Sequence, residues 1–138
     1  MGVITELIRT EADGTLSFGN YELAQKTKVS DFLYQGDVYK IKTFYEITKL
    51  EKNGLFVYES VPGTAVSGFS ETVTGVEFMV EGREDAQITL GLEESQEYEV
   101  FVDEVSAGVL KTNMGGKLSL SVELSEGLAS VIRVEKVQ

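Results

Sequence analysis

Val38-Tyr39-Lys40-Ile41-Lys42-Thr43-Phe44-Tyr45-Glu46-Ile47-Thr48-Lys49-Leu50 is the stretch whose pattern sets the fold class. Tyr39, Ile41, Thr43, Tyr45 and Ile47 fall on one side of an extended chain, while Lys40, Lys42, Glu46 and Thr48 fall on the other. That period of two marks a half-buried β-strand, and it predicts one long strand over Val38–Leu50. The strand should end at Lys52-Asn53-Gly54, because Asn53-Gly54 is the dipeptide that best accommodates the two positive φ angles of a type I′ turn. Leu55–Val61 is therefore expected to return antiparallel as the second arm of a hairpin.

Working outward, Gln35-Gly36-Asp37 separates a further strand, Thr27–Tyr34, from the long one, and Asp13-Gly14 introduces a short strand at Thr15–Phe18. The first segment is two-sided: Val3, Ile4, Leu7 and Ile8 recur at helical spacing, while their residue types favour a strand, and it is read as strand. Pro62, the only proline, precedes Gly63 and marks the boundary between two expected lobes, 1–61 and 62–138. Beyond it, short strands are expected at about Ala65–Phe69, Val76–Val80, Gln87–Gly91, Tyr98–Val102, Gly108–Thr112, Leu118–Leu124 and Val131–Lys136. That cadence is the signature of a β-sandwich. The expected fold is all-β: an N-terminal β-meander or hairpin lobe beside an immunoglobulin-like sandwich lobe.

Composition bounds the chemistry. The 138 residues carry a formal net charge of −11, with no cysteine, histidine or tryptophan. The commonest general base, the usual zinc ligands and the thiolate nucleophile are thus absent. With eighteen glutamates, some carboxylate pair will always lie close, so a glycosidase assignment on that ground carries no weight. Glu93, Glu94, Glu97 and Glu99 read as a solvated loop, and Asp13, Asp103 and Glu104 lack the spacing of a calcium loop. No glycine-rich phosphate cradle is present. The expectation is a protein that is not an enzyme and has no cofactor or metal.

The same charge argues against nucleic acid and anionic membrane surfaces as partners, since no compact Lys/Arg cluster stands out along the sequence. No run reaches the ~18 apolar residues of a membrane span, and Met1-Gly2 lacks the rest of a myristoylation signal, so the expected location is the cytoplasm. Charge is uneven: residues 1–61 hold seven Lys/Arg against nine Asp/Glu, and residues 62–138 hold five against fourteen. This asymmetry reads either as a solvated acidic surface or as an acidic face that docks a basic patch, including the Lys-bearing half of a neighbouring copy.

Leu92-Glu93-Glu94-Ser95-Gln96-Glu97-Tyr98-Glu99-Val100 resembles the tyrosine corner of fibronectin type III and related immunoglobulin-like sandwiches. In that corner a leucine precedes by six residues a tyrosine whose hydroxyl bonds back to upstream backbone. The resemblance implies that Leu92 and Tyr98 are architectural, although Glu94 and Ser95 replace the proline and glycine common in that loop. Over its whole length the chain is also similar to small uncharacterised all-β proteins of Gram-positive gut anaerobes, some labelled endosialidases. That label would imply an arginine triad, a tyrosine nucleophile and Ser-x-Asp-x-Gly-x-Thr-Trp boxes on a propeller. Arg9, Arg83 and Arg133 are the only arginines and no such box exists, so no catalytic role is carried over.

Most aromatics lie in the N-terminal half, and Tyr34, Phe44 and Tyr58 are the candidates for an exposed set forming a ligand platform or a contact between copies. A small sheet with a long edge strand needs a partner for that edge. The leading expectation is a structural or interaction protein that forms a homo-oligomer through sheet edges and exposed aromatics. The alternative is a monomeric ligand-binding module, with glycans as candidate ligands.

Overall fold

In the computed structural model, which describes residues 2–137, thirteen strands follow one another with no helix among the described residues. They are β1 Ile8–Thr10, β2 Leu16–Phe18, β3 Thr27–Tyr34, β4 Asp37–Thr43, β5 Thr48–Lys52, β6 Leu55–Val61 and β7 Ala65–Glu71, then β8 Gly75–Glu81, β9 Ala86–Gly91, β10 Glu97–Val102, β11 Val105–Lys111, β12 Lys117–Val122 and β13 Ser130–Lys136. All pairings are antiparallel, in two sheets ordered β1-β2-β7-β8-β13-β10-β11 and β12-β9-β6-β5-β4-β3. We call them the seven-stranded and six-stranded sheets. The sandwich follows from alternation: Val76, Phe78 and Val80, Ile88 and Leu90, Leu118, Leu120 and Val122, and Ile132 and Val134 are all buried in one core cluster.

Two of the two-residue turns sit where the glycines placed them, while Asp103-Glu104 turns β10 into β11 without one. Gln35-Gly36 joins β3 to β4, and Asn53-Gly54 joins β5 to β6, with φ of 52° and 79° at the latter pair. Asn53 does more than turn the chain. Its Oδ1 accepts the Val38 N–H at 3.0 Å and its Nδ2 donates to Asp37 at 2.9 Å, tying the turn to the start of β4.

The long strand expected over Val38–Leu50 is instead a hairpin, β4 and β5, closed by a turn at 44–47 in which the Phe44 N–H bonds to the Ile47 carbonyl at 3.0 Å. Burial switches from Tyr39, Ile41 and Thr43 on β4 to Thr48 and Leu50 on β5. No turn residue announces this reversal, because it is held by distant partners: Tyr45 N–H bonds to the Leu23 carbonyl and Gly63 N–H to the Tyr45 carbonyl. At the N-terminus, strand is confined to Ile8–Thr10, while Ile4 turns back through bonds to Gly19 and Leu7.

The boundary at Pro62 does not divide the sheets. β1 and β2 join β7, β8, β13, β10 and β11, while β9 and β12 complete the sheet of β3–β6, and a single core cluster draws on both segments. Alternation tells which face a strand buries, not which strand it pairs with. The Tyr98 hydroxyl accepts the Glu93 N–H at 3.2 Å across the β9–β10 turn, with Tyr98 buried and Leu92 packed partly against the core.

Candidate functional site

Four loops at one end of the sandwich enclose a cleft of about 840 Å³. Tyr21 and Lys26 enter from the β2–β3 connection, Phe44 to Ile47 from the β4–β5 turn, Val61 to Gly63 from the β6–β7 junction, and Arg83 and Glu84 from the β8–β9 turn. The Phe44 and Tyr45 rings meet edge to face at 5.3 Å, and Tyr45 is 49% exposed. Lys26 lies 6.0 Å from the centre of the Phe44 ring, and Arg83 lies 5.6 Å from that of Tyr21. A glycine is required at 63, since a β-carbon there would come within 2.1 Å of the Phe44 carbonyl oxygen.

The walls are fixed by a chain of buried hydroxyls. The Asn20 N–H bonds to Thr43 Oγ1 at 2.8 Å, and Thr43 and Thr48 hydroxyls lie 2.8 Å apart. Thr48 Oγ1 donates to the Thr64 carbonyl at 2.9 Å and accepts the Thr64 N–H at 3.1 Å. Because Thr48's single proton goes to that carbonyl, the proton between the two hydroxyls belongs to Thr43. The Thr64 hydroxyl in turn lies 2.8 Å from both Tyr58 and Ser60. These groups satisfy one another in a core that water does not reach.

Behind the cleft, Tyr21 donates to Glu81 Oε1 at 3.2 Å. Glu81 is 2% exposed, and its Oε2 has no hydrogen-bond partner. Burial first, and then the charge of Glu81, push the Tyr21 hydroxyl up to about 12.

Of the three aromatic candidates, Phe44 alone lines this cleft. Tyr34 is half-buried elsewhere, its hydroxyl donating to the Gly14 carbonyl at 2.6 Å and its ring 5.6 Å from Tyr39, where it ties β3 to the β1–β2 turn. Tyr58 is not exposed: it is fully buried, with its ring 5.3 Å from Phe18 and 5.7 Å from Phe78. Its position on β6 faces Leu50 and Leu90 across the ladder, on the core side of the six-stranded sheet. Tyr21, Lys26, Tyr45 and Arg83 were not among the candidates, because only the tertiary fold brings their loops together.

A second feature lies at the sheet margin. β1 runs beside β3 at one side, and at the other β11 is the edge strand of the seven-stranded sheet. All seven residues of β11 are exposed, including Val105 at 69%, Val109 at 50% and Leu110 at 38%. The other margins differ: β1 has three residues, and β3 carries Lys28, Asp31 and a bulge. β12 is regular, but its core-side residues are already buried under the opposite sheet. Comparison with family models, curated proteins and solved structures gave no match to the chain.

Proposed function

We propose that this chain is a non-catalytic structural or interaction protein that self-associates through its β-sheet edges, with exposed aromatics contributing contacts. The observation that carries this reading is β11, an edge strand with both faces in water and apolar side chains along it. Such an edge offers unpaired N–H and C=O groups to another strand. A bulge opposite Val100 and Phe101 interrupts it near Gly108, and Lys111 closes it. In a two-fold antiparallel pair, Lys111 of each copy would meet the Asp103-Glu104 end of the other, so charge favours the pairing. Light scattering coupled to size exclusion tests it. The expected result is a mass twice that of the chain, reduced to the monomer by Val105→Lys with Leu110→Lys. A strict monomer at every concentration rejects it.

A second reading, a monomeric ligand-binding module, is supported by the end cleft with its partly exposed Phe44–Tyr45 pair. Flat apolar rings beside hydrogen-bonding side chains are the usual platform for a sugar ring. Screening a glycan panel against the wild type and Phe44→Ala tests it, and a flat response across the panel removes it.

A further inference from the structure

The outward side of the six-stranded sheet carries an arrangement that stability alone would not select. Lys28 on β3 is directly opposite Lys42 on β4, and Lys42 is directly opposite Lys49 on β5. Three ammonium groups therefore stand in one row across three adjacent strands, about 4.8 Å from strand to strand. Like charges directly opposite one another destabilise a sheet. None of the three takes part in an ion pair among the described residues. Lys40 lies on the same side of β4 and Lys117 on the same side of β12; the acids at outward ladder positions are Glu51, directly opposite Lys40, and Glu59, directly opposite Lys49 on its other side. The sequence hid this cluster, because its members are scattered along the chain and only the ladder register aligns them.

The outward side of the seven-stranded sheet has the opposite sign. Glu99 on β10 is directly opposite Glu135 on β13, another like-charge pair, and Glu77 and Glu97 share the face. Arg9, Arg133 and Lys111 are the cations at outward ladder positions there; Arg9 is engaged with Glu6 and Glu11, and Arg133 with Glu135 and Glu104. One molecule thus presents a lysine face and an acidic face on opposite sides of the sandwich.

We propose that the lysine face of one copy docks on the acidic face of another, through Lys28, Lys42 and Lys49 on one side and Glu99 and Glu135 on the other. This deepens the self-association reading by naming a second contact that does not use the sheet edge. The lysine row is a cost in the isolated chain that an opposite acidic row relieves, while on the acidic side Glu135 is already engaged by Arg133 and Glu99 accepts from Ser106 at 2.8 Å. Because the two faces differ, the contact is heterologous, and it builds open stacks rather than closed pairs. Its strength must fall steeply with ionic strength, as the charges are exposed and a Debye length is about 10 Å at 0.1 M salt.

The test uses the full chain in sedimentation velocity and light scattering at low and high salt. The expected wild-type result is species larger than a dimer at low salt that dissolve at high salt. Lys42→Glu with Lys49→Glu should abolish them, as should Glu99→Lys with Glu135→Lys, and mixing these two variants should restore them through the exchanged signs. Lys42→Glu should also raise the unfolding midpoint of the isolated chain, which a merely structural lysine would not do. Circular dichroism establishes that each variant folds. Low-salt species that persist in either variant, or a mixture that fails to reassemble, overturns the proposal. So does a wild type that never exceeds a salt-resistant dimer, a result that would leave the edge reading standing. A wild type that stays monomeric yet binds heparin through the same lysines overturns it in favour of a different anionic partner. Salt-sensitive stacks unaffected by the β11 substitutions would sustain it while rejecting the edge.

Discussion

Thr48→Val is the substitution that most directly tests how the end cleft is held. Valine matches threonine in shape, so the methyl that occupies the space where a β-carbon on Gly19 would lie is retained. What is lost is one hydroxyl serving three partners: the Thr64 carbonyl at 2.9 Å, the Thr64 N–H at 3.1 Å and the Thr43 hydroxyl at 2.8 Å. Thr43, Thr48 and Thr64 are all buried, so no water replaces it. Leaving a buried polar group unpaired costs about 1–3 kcal/mol. With two backbone groups of Thr64 affected and some relaxation, the expected loss is about 3 kcal/mol. For a chain of this length the entropy of unfolding is roughly 0.3 kcal/mol/K, so the midpoint should fall by about 10 °C.

Thr48→Ser is the control, since it keeps the hydroxyl and removes only a methyl; it should cost about 1 kcal/mol. Urea unfolding followed by circular dichroism and by tyrosine fluorescence gives both values. If valine and serine at position 48 destabilise equally, the hydroxyl chain does not hold the loops and the reasoning fails. If valine costs more while the cleft residues keep their chemical shifts, the chain stabilises the core without positioning the cleft.

Three further outcomes follow from the geometry. Gly63→Ala should lower the unfolding midpoint sharply, because its β-carbon would lie 2.1 Å from the Phe44 carbonyl oxygen and the turn at 44–47 must move; thermal unfolding and the Phe44 and Tyr45 resonances read this. Tyr98→Phe removes the bond to the Glu93 N–H and should cost about 1 kcal/mol in chemical unfolding. Stability should also fall in alkali: Tyr21 is raised from 10.0 to about 12, and Tyr39 and Tyr58 are raised as well, all chiefly by burial. A folded value above the unfolded one means the contribution is complete below about pH 10 and is lost as pH climbs through the folded value. Unfolding midpoints measured from pH 8 to pH 12 beside tyrosinate absorbance check the direction, and a midpoint flat to pH 12 would contradict it.

Strand positions were legible wherever backbone freedom or alternation marked them locally. Asn53-Gly54 could be read because few other dipeptides take two positive φ angles, and strands such as Val76–Val80 and Leu118–Leu124 because they alternate, whereas the strand expected over Gly108–Thr112 begins at Val105, after an Asp103-Glu104 turn that holds no glycine. The β4–β5 turn escaped, since Phe44-Tyr45-Glu46-Ile47 has no turn residue and is reversed by Leu23 and Gly63 from elsewhere in the chain. Pairing escaped too: nothing in Leu16–Phe18 says that it lies against β7 rather than β3. The same limit made Tyr58 look available, since an aromatic on an alternating strand can face either layer until its sheet is known.

Where a chain offers no motif, the places where it departs from what folding alone favours carry the functional information. The hydroxyl chain from Asn20 to Tyr58 is no such departure, for every hydroxyl in it is partnered and it specifies the loops. Glu81 is one: a carboxylate buried behind Tyr21 keeps an oxygen without a partner beside the cleft, where a glutamine or an apolar residue would cost less. The lysine row is another, because alternating Lys with Glu across β3, β4 and β5 would hold the same sheet with attraction in place of repulsion. The exposed β11 is the third, since a charge midway along it would protect the edge without touching the core. Two of these three, the lysine row and β11, lie on the surface, and the proposed self-association rests on them.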